Sequence, residues 1–130
     1  MNLATPLAGL LLFAHGARDP RWAQPFEAVA EHVRAARSGT PVRLAYLEFM
    51  TPGLVEAGAE LVAQGCQRIE VMPLFLGAGG HVRKDLPVLM DALRLAHPGV
   101  RFGLHPAVGE VDSVVQAMAV AALATLGAGA

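Results

Sequence analysis

Leu10-Leu-Leu-Phe-Ala14 is an unbroken apolar run that stops at His15-Gly16. It lacks the alternation of a half-buried strand and the length of a helix. It reads as a strand buried on both faces, the kind found inside a parallel sheet. Working outward, three further runs fit strands: Val42–Leu47, Arg68–Leu76 and Val100–Leu104. Between them the period changes to that of a helix. Phe26, Val29, Ala30 and Val33 are spaced i, i+3, i+4, i+7, and Leu86, Leu89, Met90 and Leu93 repeat the spacing. Leu54, Val55, Leu61 and Val62 fit a helix opened by Thr51-Pro52, with the threonine as N-cap and the proline in the first turn, and closed by Gly65. His97-Pro98-Gly99 is a turn, and residues 112–126 form a last helix.

Strands alternating with helices imply a parallel sheet joined by right-handed crossovers. The expectation is a single α/β domain over residues 1–130: a four-stranded, flavodoxin-like parallel sheet in the order 2-1-3-4, with helices on both faces. At 130 residues and 54% hydrophobic content, the chain can build one core without disulfides and is not intrinsically disordered. A net charge of −1 offers no basic excess for nucleic acid. The single Cys66 cannot close an internal disulfide or build a thiolate zinc site. Leu7–Ala14 is short, has no basic segment before it and runs into His15, Arg18 and Asp19, so a buried strand is expected there rather than a signal peptide. The apolar stretch Val111–Leu126 is broken by Asp112 and Gln116 and falls short of the ~20 apolar residues of a membrane span. A cytoplasmic protein without nucleic-acid or membrane partners is expected.

Open parallel sheets bind ligands at the carboxyl ends of their strands, at the point where strand order reverses. Here that point lies between strands one and three, and each is followed by a histidine beside glycine, His15-Gly16 and Gly80-His81. Adjacent strands are about 4.8 Å apart, so the two imidazoles can reach one ion. Glu48 ends the second strand on the same side. Two imidazoles and a carboxylate suit a borderline divalent ion and leave coordination positions open. Each group also has a plainer reading. Either histidine can be an ordinary hydrogen-bonded polar residue, and Glu48 can be solvated or paired with an arginine. Gly77, Gly79 and Gly80 can be loop glycines or an anion cradle at a helix start, without the Lys-Ser/Thr of a P-loop. His32 reads as a surface residue, His97 and His105 as turn and loop residues, and Cys66 as structural.

Three stretches together resemble the small, single-domain CbiX-type sirohydrochlorin chelatases, relatives of SirB in the class II chelatases. They are Leu12-Phe-Ala-His-Gly-Ala-Arg-Asp-Pro20, Ala45-Tyr-Leu-Glu-Phe49 and Pro73-Leu-Phe-Leu-Gly-Ala-Gly-Gly-His-Val-Arg-Lys-Asp-Leu-Pro87. The resemblance implies insertion of a divalent metal (Co²⁺, Fe²⁺ or Ni²⁺) into sirohydrochlorin, with the metal as substrate and no organic cofactor. It places the family's two motif histidines on His15 and His81, as catalytic residues and metal ligands, and its acid on Glu48. Ala17 stands where the family often has serine, and Thr51-Pro52-Gly53 where it often has Glu-Pro-Ser. Around the histidines, Arg18, Arg21, Arg83 and Lys84 are candidates to receive the macrocycle's carboxylates, Phe49 and Leu76 to wall the ring, and Gly79 and Gly80 to let it approach. Either Glu48 or a histidine free of metal serves as proton acceptor. A non-catalytic metal-binding module or metallochaperone is the alternative. Larger members of the family fuse two such domains, which implies that a single copy forms a homodimer. The last helix adds an independent reason: apolar residues run around its whole circumference, from Val114, Val115 and Met118 to Val120, Ala121 and Leu123.

Overall fold

The computed structural model describes residues 6–77 and 79–128, with the side chain of residue 81 outside the described part. Strands β1 (Ala8–Ala14), β2 (Val42–Tyr46), β3 (Arg68–Pro73) and β4 (Arg101–Leu104) form one parallel sheet in the order β2-β1-β3-β4. Helices α1 (Gln24–Ala36), α2 (Leu54–Ala63), α3 (Gly80–Ala96) and α4 (Asp112–Ala124) follow the four strands in turn. Short 3₁₀ turns at Pro20–Ala23 and Val108–Glu110 precede α1 and α4. Element order, parallel pairing and strand order match the sequence expectation.

The unbroken apolar run of β1 has a direct cause. Leu11 and Phe13 enter a core shared with Ile69 and Val71 of β3, Phe102 of β4, Leu61 of α2, and Met90 and Leu93 of α3. Leu12 and Ala14 enter a second core with Leu44 and Tyr46 of β2, closed by Ala30, Phe26 and Val33 of α1. Helices therefore do cover both faces. Gly65 ends α2 in the left-handed region at φ +99°, as expected of a C′ glycine.

Three local expectations are corrected. Gly53, not Thr51, is the N-cap of α2, and it makes no side-chain cap. The Pro52 carbonyl instead accepts the Tyr46 N–H at 2.9 Å, which commits Thr51-Pro52 to the turn closing β2. The third strand stops at Pro73 rather than Leu76. Its neighbour β1 ends at Ala14, and after the Leu74 N–H bonds the Phe13 carbonyl there is no ladder left to join. α4 does not lie across the sheet: none of its residues is buried, and it adjoins the Val108–Glu110 turn. Among the described residues, no helix is long and apolar enough to cross a membrane.

Two leucines of α3 calibrate the core. Leu93 is fully buried and Leu95 is 83% exposed. Leu93→Ala should cost about 2–5 kcal/mol of unfolding free energy. Leu95→Ala should stay within about 0.5 kcal/mol of the parent. Denaturant unfolding of both variants checks the assignment, and equal midpoints would contradict it.

Candidate functional site

The carboxyl end of the sheet is built from the first residues beyond each strand. Past β1 and β2 the two chains remain joined. The Leu47 N–H donates to the Ala14 carbonyl at 3.0 Å, and the Glu48 N–H to the His15 carbonyl at 3.1 Å. These bonds set Glu48 beside His15, and the side chains meet at 3.0 Å between Nε2 and Oε1. Both side chains are partly open to solvent, at 42% and 39%. Gly16 makes the approach possible. Its φ is +93°, and a methyl group there would collide with the Glu48 carbonyl oxygen. On the other side the Phe75 ring meets the imidazole edge-on, centroids 6.3 Å apart at 75°. His15 is thus held by segments following β1, β2 and β3. With its proton on Nε2, the imidazole donates to Glu48 and keeps the Nδ1 lone pair for a metal or a proton.

Phe49, next to Glu48, has φ +66°, unusual for a residue with a side chain, and its ring is 59% exposed. The Arg18 guanidinium stacks over that ring at 4.9 Å. Leu76, after β3, is 69% exposed. Phe49 and Leu76 therefore present open apolar surface. Arg21 differs from the other candidate cations because its guanidinium clamps Asp19 through Nε and Nη2, the latter at 2.8 Å. That contact and the Arg21 N–H hold the Asp19 carboxyl below its usual value. Arg83 and Lys84 lie in the first turns of α3, which begins six residues before its apolar period. Gly79 is the N-cap of α3 and Gly80 its first residue, and a Cβ at either would meet open space.

His81 occupies the first turn of α3; its side chain, and with it the expected two-histidine pair, lies outside the described residues. Among the described residues no group of three or more His, Cys, Asp or Glu could hold a metal ion. His105 belongs to a different pair, 2.7 Å from Glu70. His32 is exposed on α1, and His97 caps the end of α3. Cys66 is buried, and burial pushes its thiol up, away from thiolate chemistry.

Two residues of the site were not legible in the sequence. Phe75, which braces His15, sits in an apolar stretch that reads as more strand. Gly109 donates its N–H to the Phe75 carbonyl at 3.0 Å, and a methyl there would collide with the Leu76 backbone. The turn after β4 therefore supports the segment leading to His81, and only a contact between distant parts of the chain reveals it.

Against this geometry, comparison with known proteins is specific. The sirohydrochlorin cobaltochelatase of Saccharolobus solfataricus is 36% identical over 84 residues, 65% of this chain and 64% of that protein. That of Methanosarcina acetivorans is 30% identical over 67% of each chain. The alignment with the Saccharolobus protein thus spans just under two thirds of its length. Among solved structures, the CbiX protein of Marinobacter aquaeolei VT8, named for cobalamin (vitamin B12) biosynthesis, superposes with a TM-score of 0.80 at 32% identity, covering 92% of this chain and 97% of that one. The sirohydrochlorin chelatase SirB of Bacillus subtilis subspecies spizizenii, solved in complex with cobalt, gives 0.75 at 27% identity; the match covers 88% of this chain but 49% of SirB. The CbiX family model matches residues 9–123, and the chain belongs to the CbiX family.

Proposed function

We propose that this chain is a sirohydrochlorin chelatase, a lyase-class enzyme inserting a divalent metal, Co²⁺ or Fe²⁺ with Ni²⁺ as a further candidate, into sirohydrochlorin. The product would serve cobalamin- or sirohaem-type tetrapyrrole biosynthesis in the cytoplasm. The observation that carries the reading is the His15–Glu48 pair, 3.0 Å apart at the carboxyl end of the central strand. It occurs in a chain whose relatives are named for this reaction and whose structural neighbour SirB is solved with cobalt.

Insertion exchanges one metal ion for two pyrrole protons, so no electron is transferred and no organic cofactor is called for. In this reading His15 and His81 strip water from the ion and hold it beside the macrocycle. Glu48, or an imidazole not engaged with metal, takes a proton. The Arg18–Phe49 stack and Leu76 supply flat apolar surface for the ring. The same reading assigns its carboxylates to Arg83 and Lys84 at the start of α3, with Gly79 and Gly80 as open backbone beside them. Arg21, already paired, meets them only by sharing its charge with Asp19.

We also infer that the working unit is a homodimer. Val120 and Leu123 of α4 are 65% and 63% exposed, and no residue of α4 is fully buried within its own chain. The SirB chain is about twice the matched length, enough for a second such domain. A second copy is therefore the occupant that suits α4.

The absorbance change of the macrocycle on metal insertion reads the chemistry. His15→Ala should lower the rate at least about 100-fold, and Glu48→Gln about 10- to 100-fold, with circular dichroism unchanged. Metal binding with no change in the macrocycle spectrum would instead identify a metal-binding module.

Gly16→Ala tests positioning. It keeps both reactive side chains but forces Glu48 away, so insertion should fall while the cores of the domain persist. A parental rate would remove the backbone contact from the mechanism.

Light scattering at micromolar concentration should give twice the 13.6 kDa chain mass. Val120→Glu together with Leu123→Glu should return it to one chain. A parental mass of 13.6 kDa rejects the dimer, and an unchanged dimer in the double variant moves its interface away from α4.

A further inference from the structure

At the amino ends of the strands, opposite the His15–Glu48 pair, lies an open cleft of about 840 Å³. Its size is that of a small-molecule site. Arg37, Arg68 and Arg101 line it, with Thr40 and Gln67 as further polar groups and Leu7 on its apolar wall. Among the described residues, no acidic residue lines it.

The placement of these arginines is costly for the fold alone. Arg68 and Arg101 are direct partners in the β3–β4 register. Like charges facing each other across a ladder are destabilising. Arg68 shares one carboxylate: its Nε lies 3.4 Å from Glu70, whose other oxygen is taken by His105. Among the described residues, Arg101 and Arg37 have no ion pair and no side-chain hydrogen bond. Elsewhere Arg21, Arg34, Arg43 and Arg94 each face an acid of their own, whereas at the opposite end of the sheet Arg18 stacks on Phe49 and, among the described residues, Arg83 has no ion pair. The negative end of α1 accounts for a cation at Arg37, its C-cap residue. It does not account for a second guanidinium set beside Arg68. A bound anion would turn the Arg68–Arg101 juxtaposition from repulsion into a bidentate clamp, since guanidinium groups match the planar geometry of carboxylates and phosphates.

We propose that this cleft is a binding site for a small multivalent anion bearing carboxylate or phosphate groups. The site is separate from the metal-insertion site and does not depend on the chelatase reading. The test is calorimetry on the metal-free 130-residue chain at low salt, titrated in turn with citrate, pyrophosphate and acetate. Saturable one-to-one binding of citrate or pyrophosphate is expected, with acetate at least about tenfold weaker. Citrate alone would mark a polycarboxylate site, and pyrophosphate alone a phosphate site. Arg101→Gln and Arg37→Gln should each weaken binding about tenfold, while Arg43→Gln, outside the cleft, leaves it unchanged. Should one cleft variant fail to fold, the other decides. The proposal is overturned if neither multivalent anion saturates, if the cleft variants bind like the parent, or if Arg43→Gln weakens binding equally.

Discussion

β1 has no solvent side. Hydrogen-bonded to β2 on one edge and β3 on the other, it sends alternate side chains into two separate cores. A one-residue slip would exchange Leu11 and Phe13 for Leu12 and Ala14 and misfill both cores at once. Its register is thus fixed from four directions. The residue immediately beyond it follows that register, so His15 projects from the end of a strand paired on both edges rather than from a free loop.

The surrounding groups inherit it by shorter routes. Two backbone hydrogen bonds carry the β1–β2 alignment onward to Glu48, and Gly16 removes the side chain that would keep the strands' extensions apart. Phe75 reaches the same imidazole from β3, steadied from below by Gly109. Preorganisation here is a matter of backbone proximity. The site tolerates exposed, solvated side chains because their attachment points cannot drift.

The sequence was legible where a single physical requirement dominated. Burial on both faces left the mark of Leu10–Ala14, the helical period marked the interiors of α1 and α3, and the alternation of elements dictated a parallel sheet. It was less legible where two requirements competed. Thr51-Pro52 has the chemistry of a helix start, but closing β2 claimed the proline carbonyl. Leu74–Leu76 reads as strand, but strand needs a neighbour and β1 had ended. The residue types of the site were visible at His15 and Glu48, since polar groups stood out against apolar flanks. Their supports, Phe75 and Gly109, were not, because their meaning lies in contacts between distant segments.

α4 carries a consequence for how the molecule's stability is defined. It is a helix of 13 residues with no buried position. A helix of that length is marginal in water when nothing packs against it. In the proposed dimer, its order is supplied by a second chain, so winding and association become one equilibrium. Helicity in this segment then follows mass action: it rises with protein concentration and fades on dilution while the two cores stay intact. A single melting temperature would describe the pair at one concentration, not the chain.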